Sequence, residues 1–129
     1  MDPSIIIYHY QSPAGVLELT ANDTYLLSLK FLFSSGDESY VQTNGIIDAA
    51  VDQLKEFFDG ERKDFQLPLR PVGTEFQRKV WNVVSGIQLG KTSSYIEVAR
   101  KLGDEKSVRS VGAANGKNPY HIIVPCHRV

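Results

Sequence analysis

Apolar residues alternate with polar ones early in the chain and later recur at helical spacing. Residues 5–10, 15–21 and 25–33 read as strands, separated by the turn-forming Pro13-Ala14-Gly15 and Asn22-Asp23. Together they predict an antiparallel meander. Residues 34–44 are polar and contain glycine, which predicts a loop. Ile46, Ile47, Ala50, Leu54, Phe57 and Phe58 then follow the period of an amphipathic helix, which Gly60 stops. Residues 65–69 read as a short return strand. Pro68, Arg70-Pro71 and Gly73 mark a linker, so the expected domains are 1–70 and 71–129.

The second half predicts three short helices and a strand. Thr74-Glu75-Phe76-Gln77 fits a capping box, and Phe76, Val80, Trp81, Val83, Val84 and Ile87 form the expected buried face. Gly90-Lys91-Thr92 breaks the chain. Ser94-Tyr95-Ile96-Glu97 fits a second capping box, opening a helix through Ala99 and Leu102 that Gly103 ends. Ser107 opens a third helix, from 108 to about 116, rich in the small residues Ser110, Gly112, Ala113 and Ala114. Two short helices joined by a tight turn, the second carrying Arg109, resemble a helix-turn-helix. Small side chains let such a helix approach a protein core or a nucleic-acid groove closely. The apolar run Ile122-Ile123-Val124 predicts a strand leading into Pro125-Cys126-His127-Arg128-Val129.

Composition narrows the class. The chain is 42% hydrophobic and 22% charged, as folded proteins are, and has no apolar run of the ~18 to 20 residues that cross a bilayer. No basic segment follows Met1, so the first apolar run reads as a strand and not as a signal peptide. One cysteine in 129 residues forms no internal disulfide, which predicts a reducing compartment: the cytoplasm, or the nucleus in a eukaryote. The net charge of −1 conceals a division. Residues 1–70 carry eleven acids against five bases, and residues 71–129 nine bases against four acids. The second half is therefore expected to face a polyanion.

Cys126 is the candidate for chemistry. A thiol beside an imidazole can become a thiolate, the form that attacks carbon. In isolation a lone cysteine more often packs as a small hydrophobe, Arg109 would be a solvated helix residue, and Tyr95 a half-buried aromatic. The spacing of His121, Cys126 and His127, with His9 far away, fits no zinc pattern, so neither metal nor cofactor is expected.

Arg109-Ser110-Val111-Gly112-Ala113-Ala114, Asn118-Pro119 and Ile122-Ile123-Val124-Pro125-Cys126-His127-Arg128-Val129 closely resemble the O6-alkylguanine-DNA alkyltransferases, the methylated-DNA–protein-cysteine methyltransferases. Thr74-Glu75-Phe76-Gln77-Arg78-Lys79-Val80-Trp81 and Thr92-Ser93-Ser94-Tyr95 extend the match. It is dense over 73–129; over 1–70 only the order of elements agrees. The resemblance implies a mixed α+β fold: a ribonuclease-H-like N-terminal lobe, then a winged-helix-like DNA-binding lobe. It implies a monomer that moves an alkyl group, once and irreversibly, from O6 of guanine in double-stranded DNA to its own cysteine.

By the same resemblance Cys126 is the nucleophile, His127 a base acting through water, and Asn118 the residue that keeps the active site in shape. Tyr95 lies by the target phosphate, helps turn the base outward and protonates it. Arg109 fills the vacated place in the stack, as base flipping requires. Ser94, Ser107, Ala113, Asn115 and Arg128 join Arg109 and Tyr95 as expected DNA contacts, in a minor groove whose readout is poor in sequence. The family pattern continues past Pro-Cys-His-Arg-Val to a glutamate that orients the histidine. Glu75, Glu97, Asp104 and Glu105 do not match that glutamate in motif order, so a truncated or degenerate copy is expected. The alternative function is that of a damage-binding alkyltransferase-like protein without transfer activity. No feature favours a general transcription factor.

Overall fold

The computed structural model describes residues 4–32 and 42–129. Most of the loop expected at 34–44, and the last residue of the third strand expected there, lie outside the described residues. The chain divides into two compact units, Met1–Arg70 and Pro71–Val129. A three-stranded antiparallel sheet and, among the described residues, four α-helices make the fold mixed α+β.

In the first unit, strands β1 (Ile6–Ser12), β2 (Gly15–Ala21) and β3 (Leu26–Phe31) lie in sequence order. The central strand buries Leu17, Leu19 and Ala21, every second residue, because successive side chains of a strand point to opposite faces. Leu29 of β3 pairs with Leu19 and is buried with it. The turn between β2 and β3 is an Asx turn: Asn22 Oδ1 accepts from the N–H groups of Thr24 and Tyr25 at 2.8 and 2.7 Å. Asn44 N-caps helix α1 (Gly45–Phe58) through Ile47 N–H and also donates to the Asn22 carbonyl. Ile47, Ala50 and Leu54 form the buried stripe of α1. Gly60, at φ +79°, lets the chain leave the helix.

The return strand expected at 65–69 does not form. Leu69 makes a single parallel bridge to Leu26, whose N–H donates to the Pro68 carbonyl at 2.8 Å. Two causes are visible. Pro68 has no N–H for a ladder, and the Gln53 side chain takes both backbone groups of Gln66, at 3.0 and 2.8 Å.

In the second unit, helix α2 (Glu75–Ser85) opens with the expected capping box: Thr74 Oγ1 accepts from Gln77 N–H, and Gln77 Oε1 from Thr74 N–H. Residue 73 must be glycine, since a Cβ there would stand 2.6 Å from both Gln77 Oε1 and the Trp81 ring. Val80, Trp81 and Val84 are buried, joined past the helix end by Ile87, while Phe76 and Val83 are only partly covered. Helix α3 (Tyr95–Lys101) ends in a Schellman arrangement, with Gly103 at φ +85° and Asp104 N–H returning to the Ala99 carbonyl. A 3-10 turn (Glu105–Ser107) leads into α4 (Val108–Gly116).

The second capping box is only half made. Ser94 Oγ accepts from Glu97 N–H, but the Glu97 carboxylate turns away to accept from Ser93 Oγ at 3.1 Å. The expected strand at 122–124 is absent, replaced by turns. No helix among the described residues is long and apolar enough to cross a membrane.

Candidate active site

The turns that replace the strand are built by one buried side chain. Asn118, 3% exposed, donates through Nδ2 to the carbonyls of Tyr120 and Val124, at 3.2 and 2.8 Å, and accepts from Tyr120 N–H at 2.9 Å. With those groups occupied, residues 120–124 fold back on themselves. Val124 N–H reaches the Tyr120 carbonyl at 2.9 Å, and Ile123 N–H the His121 carbonyl at 2.8 Å. Ile122 is forced to φ +73°, a conformation that a β-branched residue adopts only when its surroundings impose it. Its buried side chain and the Asn118 bracket supply that constraint.

The loop delivers Pro125 and then a 3-10 turn, Cys126–Arg128, in which the thiol is half-buried. Three outside groups hold this turn. Asn115 Nδ2 donates to the Cys126 carbonyl at 3.2 Å, Ser93 N–H to the Arg128 carbonyl at 2.8 Å, and Arg128 Nη1 to the Ile87 carbonyl at 2.7 Å. In a 3-10 turn consecutive side chains diverge by a third of a revolution, so Cys126 and His127 are not on opposite faces as strand neighbours would be. No direct hydrogen bond joins them, among the described residues. His127 has its pKa lowered from 6.5, by partial burial first and by the Arg128 charge second, so at neutral pH the exposed imidazole is free to accept a proton.

Helix α4 has two faces. Val111, Ala114 and Asn115 are buried, and Arg109, Ser110 and Ala113 are exposed. Arg109 and Ala113, four residues apart, share the outward face, and the Arg109 guanidinium makes no ion pair among the described residues. Tyr95, at the start of α3, is 41% exposed, and its ring lies along α4 at Gly112, where a Cβ would come within 3.2 Å of Cε2. Ser94 and Ser107 are half-buried N-cap residues; Ser94 caps α3, and Ser107 Oγ donates to the Asp104 carbonyl at 2.7 Å.

Of the residues expected at DNA, Asn115 is buried and Arg128 half-buried. Asn115 falls on the buried stripe with Val111 and Ala114 and bonds to Cys126, and Arg128 bonds to Ile87. Sequence reasoning gave no role at the thiol turn to Ser93 and Ile87, which contribute only backbone groups there and leave no side-chain signal. Gly112, expected as a small residue that allows close approach, is the one against which the Tyr95 ring packs. No group of three or more His, Cys, Asp or Glu side chains among the described residues is placed to hold a metal ion.

The thiol of Cys126 is thus half-buried on a braced turn, in a unit that carries a small-residue helix and more bases than acids. Residues 5–71 match the family described as "6-O-methylguanine DNA methyltransferase, ribonuclease-like domain", and residues 75–129 its "DNA binding domain". The methylated-DNA–protein-cysteine methyltransferase of Methanosarcina acetivorans is 40% identical over 124 residues, 93% of this chain and 80% of the relative. That of Mycobacterium tuberculosis is 41% identical over 127 residues, 94% of this chain and 77% of the relative. The crystal structure of the M. tuberculosis O6-methylguanine methyltransferase superposes with a TM-score of 0.86 at 39% identity, over 97% of this chain and 78% of that one. A structure of M. tuberculosis OGT in complex with DNA superposes at 0.84, with 40% identity, over 95% of this chain and 76% of that one. The chain belongs to the methylated-DNA–protein-cysteine methyltransferase family.

Proposed function

We propose that the protein repairs DNA by taking an alkyl group from O6 of guanine in a duplex onto Sγ of Cys126. The carbon–oxygen bond to guanine breaks as the sulfur–carbon bond forms, the electron pair passes to the base, and a proton neutralises it. The thioether has no route back, so each molecule reacts once. The observation that carries this reading is the braced 3-10 turn presenting the chain's one thiol, in a member of this family.

The remaining roles follow from placement. His127, with its lowered pKa, takes the thiol proton, through an intervening water since the side chains make no direct bond. Asn118 shapes the loop before Cys126. Guanine O6 is buried in the stack, so the base must be turned out, at a cost of a few kcal/mol. Arg109, free and outward on α4, enters the place it leaves. Tyr95, exposed beside α4, meets the phosphate and supplies the proton to the departing base. Ala113 lets the helix approach the groove, and Ser94 and Ser107, at the N-termini of α3 and α4, face the backbone phosphates. The 71–129 unit engages DNA and the acidic 1–70 unit does not. A single cysteine suits a reducing compartment, the cytoplasm or, in a eukaryote, the nucleus.

Mass spectrometry after incubation with duplex DNA containing O6-methylguanine tests the reading. Cys126 gains about 14 Da as methyl replaces the thiol hydrogen, and Cys126→Ser gains nothing. Tight binding of the alkylated duplex with Cys126 unmodified would instead establish a damage-binding protein without transfer.

A further inference from the structure

The two asparagines beside the thiol turn are used differently. Asn118 has every bond it needs to shape the loop, with Nδ2 shared by two carbonyls and Oδ1 taken by an N–H. Asn115 is 8% exposed and uses only half of its amide. Nδ2 donates to the Cys126 carbonyl at 3.2 Å, and the buried Oδ1 has no partner among the described residues. Turning the amide over would set oxygen against the Cys126 carbonyl oxygen, acceptor against acceptor, so its orientation is determined by chemistry. Buried acceptors are nearly always paired, and an orphan beside a reactive group requires a donor.

We propose that Asn115 is a positioning residue for Cys126. Its Nδ2 fixes the carbonyl of the nucleophile, and its Oδ1 accepts one hydrogen of a buried water whose second hydrogen is given to the Cys126 thiolate. Water suits the place because it donates twice: an acceptor on one side leaves a hydrogen for the sulfur on the other. The Nδ2 bond seats this amide against the backbone of Cys126. A hydrogen bond donated to a thiolate favours the charged form. The titratable and charged groups of the turn itself are His127 and Arg128, and α2, which also packs against the turn, carries Glu75, Arg78 and Lys79, all exposed. From the segment before α3, Ser93 meets the Arg128 carbonyl and carries the Glu97 carboxylate on its hydroxyl; α4 contributes no charge at Asn115.

The assignment rests on Cys126 being the alkyl acceptor, but its test needs no DNA. Thiolate absorbance is titrated, and the rate of iodoacetamide alkylation of Cys126 is measured at neutral pH, in the wild-type protein and in Asn115→Leu. The variant is expected to ionise at higher pH and to react about tenfold more slowly, with a cooperative melt. Unchanged titration and rate in a folded variant overturn the proposal and leave Asn115 a packing residue. If Asn115→Leu does not fold, the near-isosteric Asn115→Asp serves. A carboxylate at that site moves thiolate formation to higher pH, and an unchanged titration means that Oδ1 is not coupled to the sulfur. Methyl transfer by the wild-type protein is scored separately, so failure of the repair reading and failure of this one give different results.

Discussion

Each unit of the protein uses one amide side chain to capture the backbone of a segment that joins no sheet, and the two clamps differ in burial. In the first unit Gln53 holds Gln66 by two bonds at the surface. In the second, Asn118 holds Tyr120 and Val124 by three bonds in the interior. The chemistry is the same, but the competition is not. Water replaces the Gln53 bonds at little cost, whereas the Asn118 bonds lie in the interior, where solvent does not compete and the two carbonyls are shared with Val124 N–H and Cys126 N–H. A surface clamp tidies a connection; a buried clamp dictates a conformation, here one severe enough to hold an isoleucine at φ +73°. The clamp next to the Cys126 turn is the buried one.

The comparison predicts a ranking. Asn118→Ala removes three buried hydrogen bonds, and at about 0.5 to 1.5 kcal/mol for each it costs roughly 2 to 4 kcal/mol, with Val124 N–H and Cys126 N–H still on the two carbonyls. Because the thiol turn hangs from that loop, single-turnover methyl transfer falls by about 100-fold or more. Trp81→Phe removes the buried indole bond to the Ala114 carbonyl, 2.8 Å long, and lowers stability by about 1 to 2 kcal/mol in denaturant unfolding. Gln53→Ala costs about 1 kcal/mol or less and leaves transfer unchanged. If it cost as much as Asn118→Ala, burial would not be what separates the clamps.

The smallest effect is one of pH. The lowered pKa of His127 means that the unfolded chain binds a proton more readily than the folded one. Stability is therefore full above the ordinary histidine pKa of 6.5 and declines as pH falls below it, through the lower pKa of the fold. Because His127 is exposed, solvent screens most of this, and the decline is slight. His127→Gln flattens that part of the stability profile.

Helices were legible because their signals are local and redundant. Asn44, Thr74 and Ser94 cap helices whose apolar positions repeat at helical spacing, and Gly60 and Gly103 end them. The inward face of Asn115 was also there to read, since 111, 114 and 115 share a stripe. What the pattern concealed were the places where one side chain overrides local preference. An apolar, β-branched run at 122–124 carries every mark of a strand, and only the reach of Asn118 across six residues bends it into turns. Residues 65–69 misled in the same way, through Gln53, thirteen positions away. Cys126, the proposed alkyl acceptor, was named from its motif. The way its turn is braced, by Ser93, Ile87 and Asn115, belongs to tertiary contacts.

The chain contains one tryptophan. Its indole N–H ends on the carbonyl of Ala114, one residue before the asparagine that bonds to Cys126. Any event that shifts this end of α4 must stretch or break that bond and change the emission of the only indole present. The protein thus carries its own optical reporter on the helix that ties down the Cys126 turn. Stopped-flow fluorescence of unlabelled protein can time the helix against the chemistry, with Trp81→Phe as the dark control.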